Sequence, residues 1–154
     1  MALPEPVPGL VIRYSYLWAE EYGYLWAEEY GRGQEEGTKD RPCAVILVTT
    51  DVTGERSVTV LPITHAPPPA NSSLAVEILA ATTRRLGLDD ERSWVLLTEA
   101  NRFIWPGPDL RPANAGDMAS IAYGPLPFAL FEQIRQRFIA MIRARRARLV
   151  PRTE

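Results

Sequence analysis

Lys39-Asp40-Arg41-Pro42, the apolar run from Cys43 to Val48, and Leu61-Pro62-Ile63-Thr64-His65 across an intervening turn decide how this chain is read. A proline ring pushes the residue before it towards extended geometry, so Arg41 is expected on a loop that is just becoming a strand. The six residues from Cys43 to Val48 are too short a run for a comfortable helix and are rich in β-branched types, which reads as a strand buried on both faces. Thr53-Gly54 supplies a turn, and Ser57 to Leu61 alternates as a half-buried strand should. The pattern sets a lone arginine at the mouth of one strand and a hydroxyl, Thr64, at the end of the next.

Upstream, residues 1 to 8 carry three prolines and read as an extended lead-in. Leu10 to Tyr16 alternates as a first strand, with Leu10, Ile12 and Tyr14 on one side. The eight residues from Tyr16 to Gly23 are then repeated without change from Tyr24 to Gly31. Two copies fall short of the roughly three stacked units that a solenoid needs, so the repeat is read as a local duplication inside a long first loop, 17–40. Trp18 or Trp26 could offer a stacking surface to an RNA base, worth about 1–3 kcal/mol. Glu20, Glu21, Glu28 and Glu29 beside them oppose phosphate.

Downstream, Ala75 to Ile78 reads as a short strand and Ala80 to Leu86 as one or two helical turns closed by Gly87. Ser93 to Asn101 is expected as one strand, Trp94, Leu96 and Thr98 alternating against Val95, Leu97 and Glu99. Its continuation, Arg102 to Trp105, should turn a corner before Pro106-Gly107-Pro108 stops it. Several short strands separated by turns argue for an antiparallel barrel or sandwich. From Pro127 the period changes: Leu130, Phe131, Ile134, Phe138, Met141 and Ile142 form one helical stripe, which predicts an amphipathic helix over 127–148 packed on the barrel. The arginines at 143, 145, 146 and 148 read as its solvated, dipole-complementing end or as an RNA contact.

The length of 154 residues suits one domain spanning 1–154. A composition of 46% hydrophobic and 23% charged residues, with a net charge of -2, is that of an ordinary globular protein and not of a non-specific nucleic-acid coat. One cysteine, Cys43, reads as a small core residue and fits a reducing compartment. One cysteine and one histidine cannot make the usual zinc site, and no cofactor is expected. No run approaches the ~20 apolar residues of a membrane span, and the first residues lack the basic and apolar regions of an export signal. A cytoplasmic protein with no membrane contact is the expectation.

The ordered set of a Gly9-to-Ile12 opening strand, a loop with Gly33-Gln34-Glu35-Glu36-Gly37, Arg41-Pro42 before an apolar strand, and Pro62-Ile63-Thr64 resembles the PemK/MazF family of toxin endoribonucleases, over most of residues 8 to 105. The resemblance implies a mainly β fold with helices, a small SH3-like antiparallel β-barrel. It also implies a homodimer that cleaves single-stranded RNA such as mRNA without metal and is silenced by a cognate antitoxin protein.

Such cleavage needs a group to take the 2′-hydroxyl proton, one to stabilise the phosphorane-like transition state, and one to protonate the leaving oxygen. Arg41 suits the second role through planar bidentate donation to phosphate; otherwise it is a surface charge paired with Asp40. Thr64 matches the hydroxyl that the family uses to hold the scissile phosphate, and otherwise is a β-branched strand residue. His65, the single histidine, belongs to the residue type that titrates near neutrality and shuttles protons. Adjacent strand residues face opposite ways, so it joins Thr64 only if the strand bends. Glu99 lies where some family members carry an acidic catalytic residue, with Leu97 standing where one branch has an arginine. Lys39, Trp26 and Arg102 complete the expected site as RNA-binding residues. The alternative is a non-catalytic binding toxin, or an RNA- or protein-binding relative, on the same fold. A gyrase poison of the CcdB kind is disfavoured, because Pro151 to Glu154 lacks the Trp-Gly-Ile tail of that family.

Overall fold

The computed structural model describes residues 3–18, 38–68, 74–88 and 91–152. The strands among them are β1 (Leu10–Leu17), β2 (Thr38–Thr50), β3 (Arg56–Thr64), β4 (Ala75–Ile78), β5 (Ser93–Leu96), β6 (Glu99–Trp105), β7 (Ala122–Pro125) and β8 (Arg148–Pro151); the helices are α1 (Ala80–Leu86) and α2 (Phe128–Arg143), with a 3-10 turn at Met118–Ile121. The protein is mainly β: the strands form one curled half-barrel sheet in the order β4-β5-β3-β2-β1-β7, with β6 pairing to β3 and β8 to β6. Every pairing is antiparallel except that of β6 with β8.

Strand β2 is longer than its apolar run suggests. Thr38 and Lys39 already pair with Leu17 and Tyr16, so the connection that sequence reading extends to residue 40 ends earlier. Arg41 lies inside the strand and not at its mouth, because the extended geometry that proline imposes on its predecessor is strand geometry too. The β2–β3 turn is built on Asp51, whose carboxylate accepts hydrogen bonds from the backbone N–H of Thr53 and Glu55 at 2.8 and 3.0 Å, while Gly54 takes φ 89°.

The expected single strand over Ser93 to Asn101 is broken at Leu97-Thr98. Its first part, β5, pairs with the end of β3 (Ile63 with Val95), and the second, β6, with the start of β3 (Val60 with Asn101). The corner therefore precedes Arg102 instead of following it. It also changes the side to which residues point. Val95 and Leu97 lie in the outer core, yet Glu99, two residues beyond Leu97, meets Tyr16 on the inner face.

Two apolar cores flank the sheet. The inner one gathers Ile12, Tyr14, Tyr16, Trp18, Cys43, Val60, Phe103 and Trp105. The outer one packs Val11, Ala44, Ile46, Leu61 and Ile63 under Phe131, Ile134, Phe138 and Met141 of α2. This is the predicted stripe, except that Ile142 stays exposed and Leu130 is only partly buried. Helix α2 stops at Arg143 and not at residue 148. Met141 is the last buried residue of the helix, Ile142 already facing solvent, and Arg145 adopts φ 57°. The backbone N–H of Arg146 then donates to the carbonyl of Met141 at 2.8 Å, a Schellman-type closure. The chain turns back into β8, so Arg148 begins a strand rather than ending a helix. Helix α1 ends as expected at Gly87, which is left-handed at φ 73°.

Candidate functional site

The free edge of β1 is occupied along its length. β7 pairs with Leu10 to Ile12; the carbonyl of Asp109 accepts from Ser15 N–H at 2.8 Å, and Arg111 N–H donates to Arg13 at 3.0 Å. At the end, Asn101 of β6 closes the mouth with its side-chain amide, accepting from Leu17 N–H at 2.8 Å and donating to the Leu17 carbonyl at 2.9 Å. Arg152 reinforces this corner: it pairs with Asp109 at 3.1 Å and donates to the Ser15 carbonyl at 2.7 Å. Buried backbone groups in this segment are thereby satisfied, and the strand that carries Tyr14 and Tyr16 is fixed against the barrel interior.

Into that interior project three of the four residues that sequence reading marked as catalytic. Arg41 lies opposite Tyr14 in the β1–β2 register, donates from Nη1 to the carbonyl of Ile63 at 3.2 Å, and holds its guanidinium 4.7 Å from the ring centroid of Trp18, a cation–π distance. Thr64 alternates with Ile63, which belongs to the outer core, and so lies on the inner face; its Oγ1 accepts from Ala66 N–H at 3.0 Å. Glu99 accepts from the Tyr16 hydroxyl at 3.0 Å. Arg41, Thr64 and Glu99 are 6%, 2% and 0% exposed, which corrects the expectation of a surface arginine.

Burial pushes the Tyr16 phenol well above its usual pKa, and the neighbouring Glu99 charge adds to the rise, with Arg41 acting against it. Tyr14 and Cys43 are raised as well, burial again being the main cause. The inner face thus keeps its phenols and its thiol protonated at neutral pH.

His65 is not part of this group. β3 ends at Thr64, and His65 stands exposed beyond it, with Nδ1 2.9 Å from the Arg92 carbonyl and 3.2 Å from the Ser93 hydroxyl. A carbonyl can only accept, so Nδ1 carries the hydrogen. Arg102 is exposed on the outer face, beside Ser57, Thr59 and α2. Lys39 pairs with Tyr16 in register, its side chain lying outside the described residues, as does Trp26. Tyr16 and the cover that Trp18 makes over Arg41 are the features that sequence reading missed. The available signal was the continuation of the Leu10, Ile12, Tyr14 alternation by two residues, then four.

Comparison with known proteins was made against family models, curated proteins and solved structures. None of them matches the chain. The site is therefore characterised by its own geometry: an arginine, a hydroxyl and a hydrogen-bonded carboxylate–phenol pair from four strands on one concave face. Among the described residues no three or more His, Cys, Asp or Glu side chains gather as a metal site, and no helix is long and apolar enough to cross a membrane.

Proposed function

We propose that the protein is a metal-independent endoribonuclease acting on single-stranded RNA, the toxin of a toxin-antitoxin pair of the PemK/MazF kind. The observation that carries this reading is the convergence of Arg41, Thr64 and Glu99 on one face from three separate strands, with Tyr16 bonded to the carboxylate.

In the reaction, Glu99 takes the 2′-hydroxyl proton as that oxygen attacks the adjacent phosphorus. Arg41 and the Thr64 hydroxyl stabilise the charge building on the non-bridging oxygens. As the bond from phosphorus to the 5′-oxygen breaks, Tyr16 gives its proton to that oxygen and recovers one from Glu99. The products are a 2′,3′-cyclic phosphate and a 5′-hydroxyl, no water is consumed, and both side chains return to their starting state.

On this reading Trp18, which lies over the Arg41 guanidinium at 4.7 Å, moves off it for RNA to bind. That displacement is eased by the Trp18 indole N–H, which is buried with no hydrogen-bond partner among the described residues; a buried donor left unsatisfied costs roughly 1–3 kcal/mol. The same reading makes the active form a cytoplasmic homodimer held in check by its antitoxin. A monomeric mass in light scattering at micromolar concentration would count against the dimer.

A second reading, binding without cleavage, draws on the closure of the same site: Glu99 is wholly buried and already engaged by Tyr16. End-labelled single-stranded RNA incubated with the protein in excess chelator separates the two. Cleavage to fragments ending in 2′,3′-cyclic phosphate supports the nuclease; retarded but intact RNA supports the binding protein.

A further inference from the structure

Beneath α2, on the face away from Arg41 and Glu99, the sheet leaves a groove of about 450 Å³. We propose that it binds a single-chain anionic amphiphile, a fatty carboxylate, with the chain in the groove and the head on the arginines at its rim. This site stands apart from the proposed cleavage site and does not depend on it.

The walls are apolar. Leu47 of β2, Ile139 and Ile142 of α2 and Leu149 of β8 line the groove, and Leu47, Ile142 and Leu149 are 52%, 44% and 39% exposed. The rim is cationic, with Arg102, Arg135 and Arg143 contributing and no carboxylate lining it. Arg135 is already engaged by Glu132 at 2.8 Å; Arg102 and Arg143 are exposed, make no ion pair among the described residues, and supply the charge for the head group. Apolar walls with a few convergent polar groups, at a volume within the ~300–1,000 Å³ of small-molecule sites, describe a ligand pocket. From Arg135 to Arg143 the helix rises only about 12 Å, the scale of one short alkyl chain.

Charge decides against the other occupants. A second copy docked with this groove close to a two-fold axis would bring the two cationic rims together. RNA would find the charge but no stacking surface, since Phe138, the aromatic side chain in the lining, is itself buried.

The test is calorimetric titration of the full chain with octanoate, decanoate, dodecanoate and neutral dodecanol, all below micelle formation. Each added methylene should tighten Kd about fourfold, the equivalent of ~0.8 kcal/mol, and dodecanoate should bind more tightly than dodecanol. Arg102→Gln with Arg143→Gln should weaken dodecanoate about tenfold or more and leave dodecanol unchanged, while Leu47→Glu should weaken both. Absence of saturable dodecanoate binding, equal affinities for octanoate and dodecanoate, or binding to anionic vesicles or an acidic peptide but not to monomeric dodecanoate would each overturn the proposal. The chain-length series on the unaltered protein decides it even if a variant fails to fold.

Discussion

On the inner face of the sheet Tyr14 stacks on Phe103 at 4.6 Å and Tyr16 meets Trp18 edge-on at 5.2 Å, and Arg41, Thr64, Glu99 and Asn101 are buried among or beside these rings. On the outer face, under α2, the core is nearly all aliphatic, and its cations sit at the surface. An aliphatic core is stabilised by burial alone. Sinking an arginine and a carboxylate carries a desolvation cost that well-packed apolar residues would avoid. The contrast teaches where to look for chemistry: the face that keeps polar groups at an energetic cost is the one to which the proposed cleavage is assigned.

The largest effects should be on stability, and they should not distinguish the faces. Phe103→Ala on the inner side should cost about 3–5 kcal/mol, and Ile134→Ala on the outer side about 2–5 kcal/mol, in urea unfolding. The faces should part in function. Ile134→Ala should retain the cleavage rate per folded molecule, and a loss there as large as at the inner face would break the comparison.

Tyr16→Phe comes next. It strips the hydroxyl from a buried carboxylate and should destabilise by about 1–3 kcal/mol, read as a fall of roughly 2–4 °C in Tm per kcal/mol for a chain of this size. No fall would mean that the inner polar group is not held by that bond.

Alkaline pH should act on the inner face more gently and in a definite direction. The buried Tyr14 and Tyr16 have raised folded pKa values, so their contribution is fully present below the unfolded value of about 10 and is lost as pH rises above it towards the folded values. Cys43, raised in the same way, extends the loss down to about pH 8.5. Tm should therefore decline from about pH 8.5 upward, less steeply in Tyr16→Phe, as followed by circular dichroism. The smallest effect is expected outside both faces: Glu77→Gln, which breaks the exposed pair with Arg92 at 2.7 Å, should leave Tm within error.

Many of the strands were legible because alternation survives wherever one face is buried. Leu10, Ile12 and Tyr14 share the inner core as their spacing predicts, and Gly87 ends α1. What could not be read has physical causes. Strand β8 has four residues, two of them cations or prolines by type, and gains its identity only by lying parallel to β6. The bend at Leu97-Thr98 contains neither glycine nor proline, so nothing local announces that Glu99 changes sides. Arg41-Pro42 has the same local preference at a strand mouth as within a strand, and only the partners Tyr14 and Trp18 decide between them. Thr64 and His65 illustrate the opposite case: neighbours in a strand part company, and one went inside while the other stayed in solvent.

Arg41 bears most directly on the proposed cleavage. Cleavage of labelled single-stranded RNA should be measured in chelator for the unaltered protein, Arg41→Ala and Arg41→Lys, each checked for folding by circular dichroism. Arg41→Ala should lower the rate by about 10²–10³, the usual loss for one preorganised donor, and Arg41→Lys should recover part of it, since an ammonium lacks the bidentate fork. A folded Arg41→Ala protein that cleaves RNA at the unaltered rate would contradict the account.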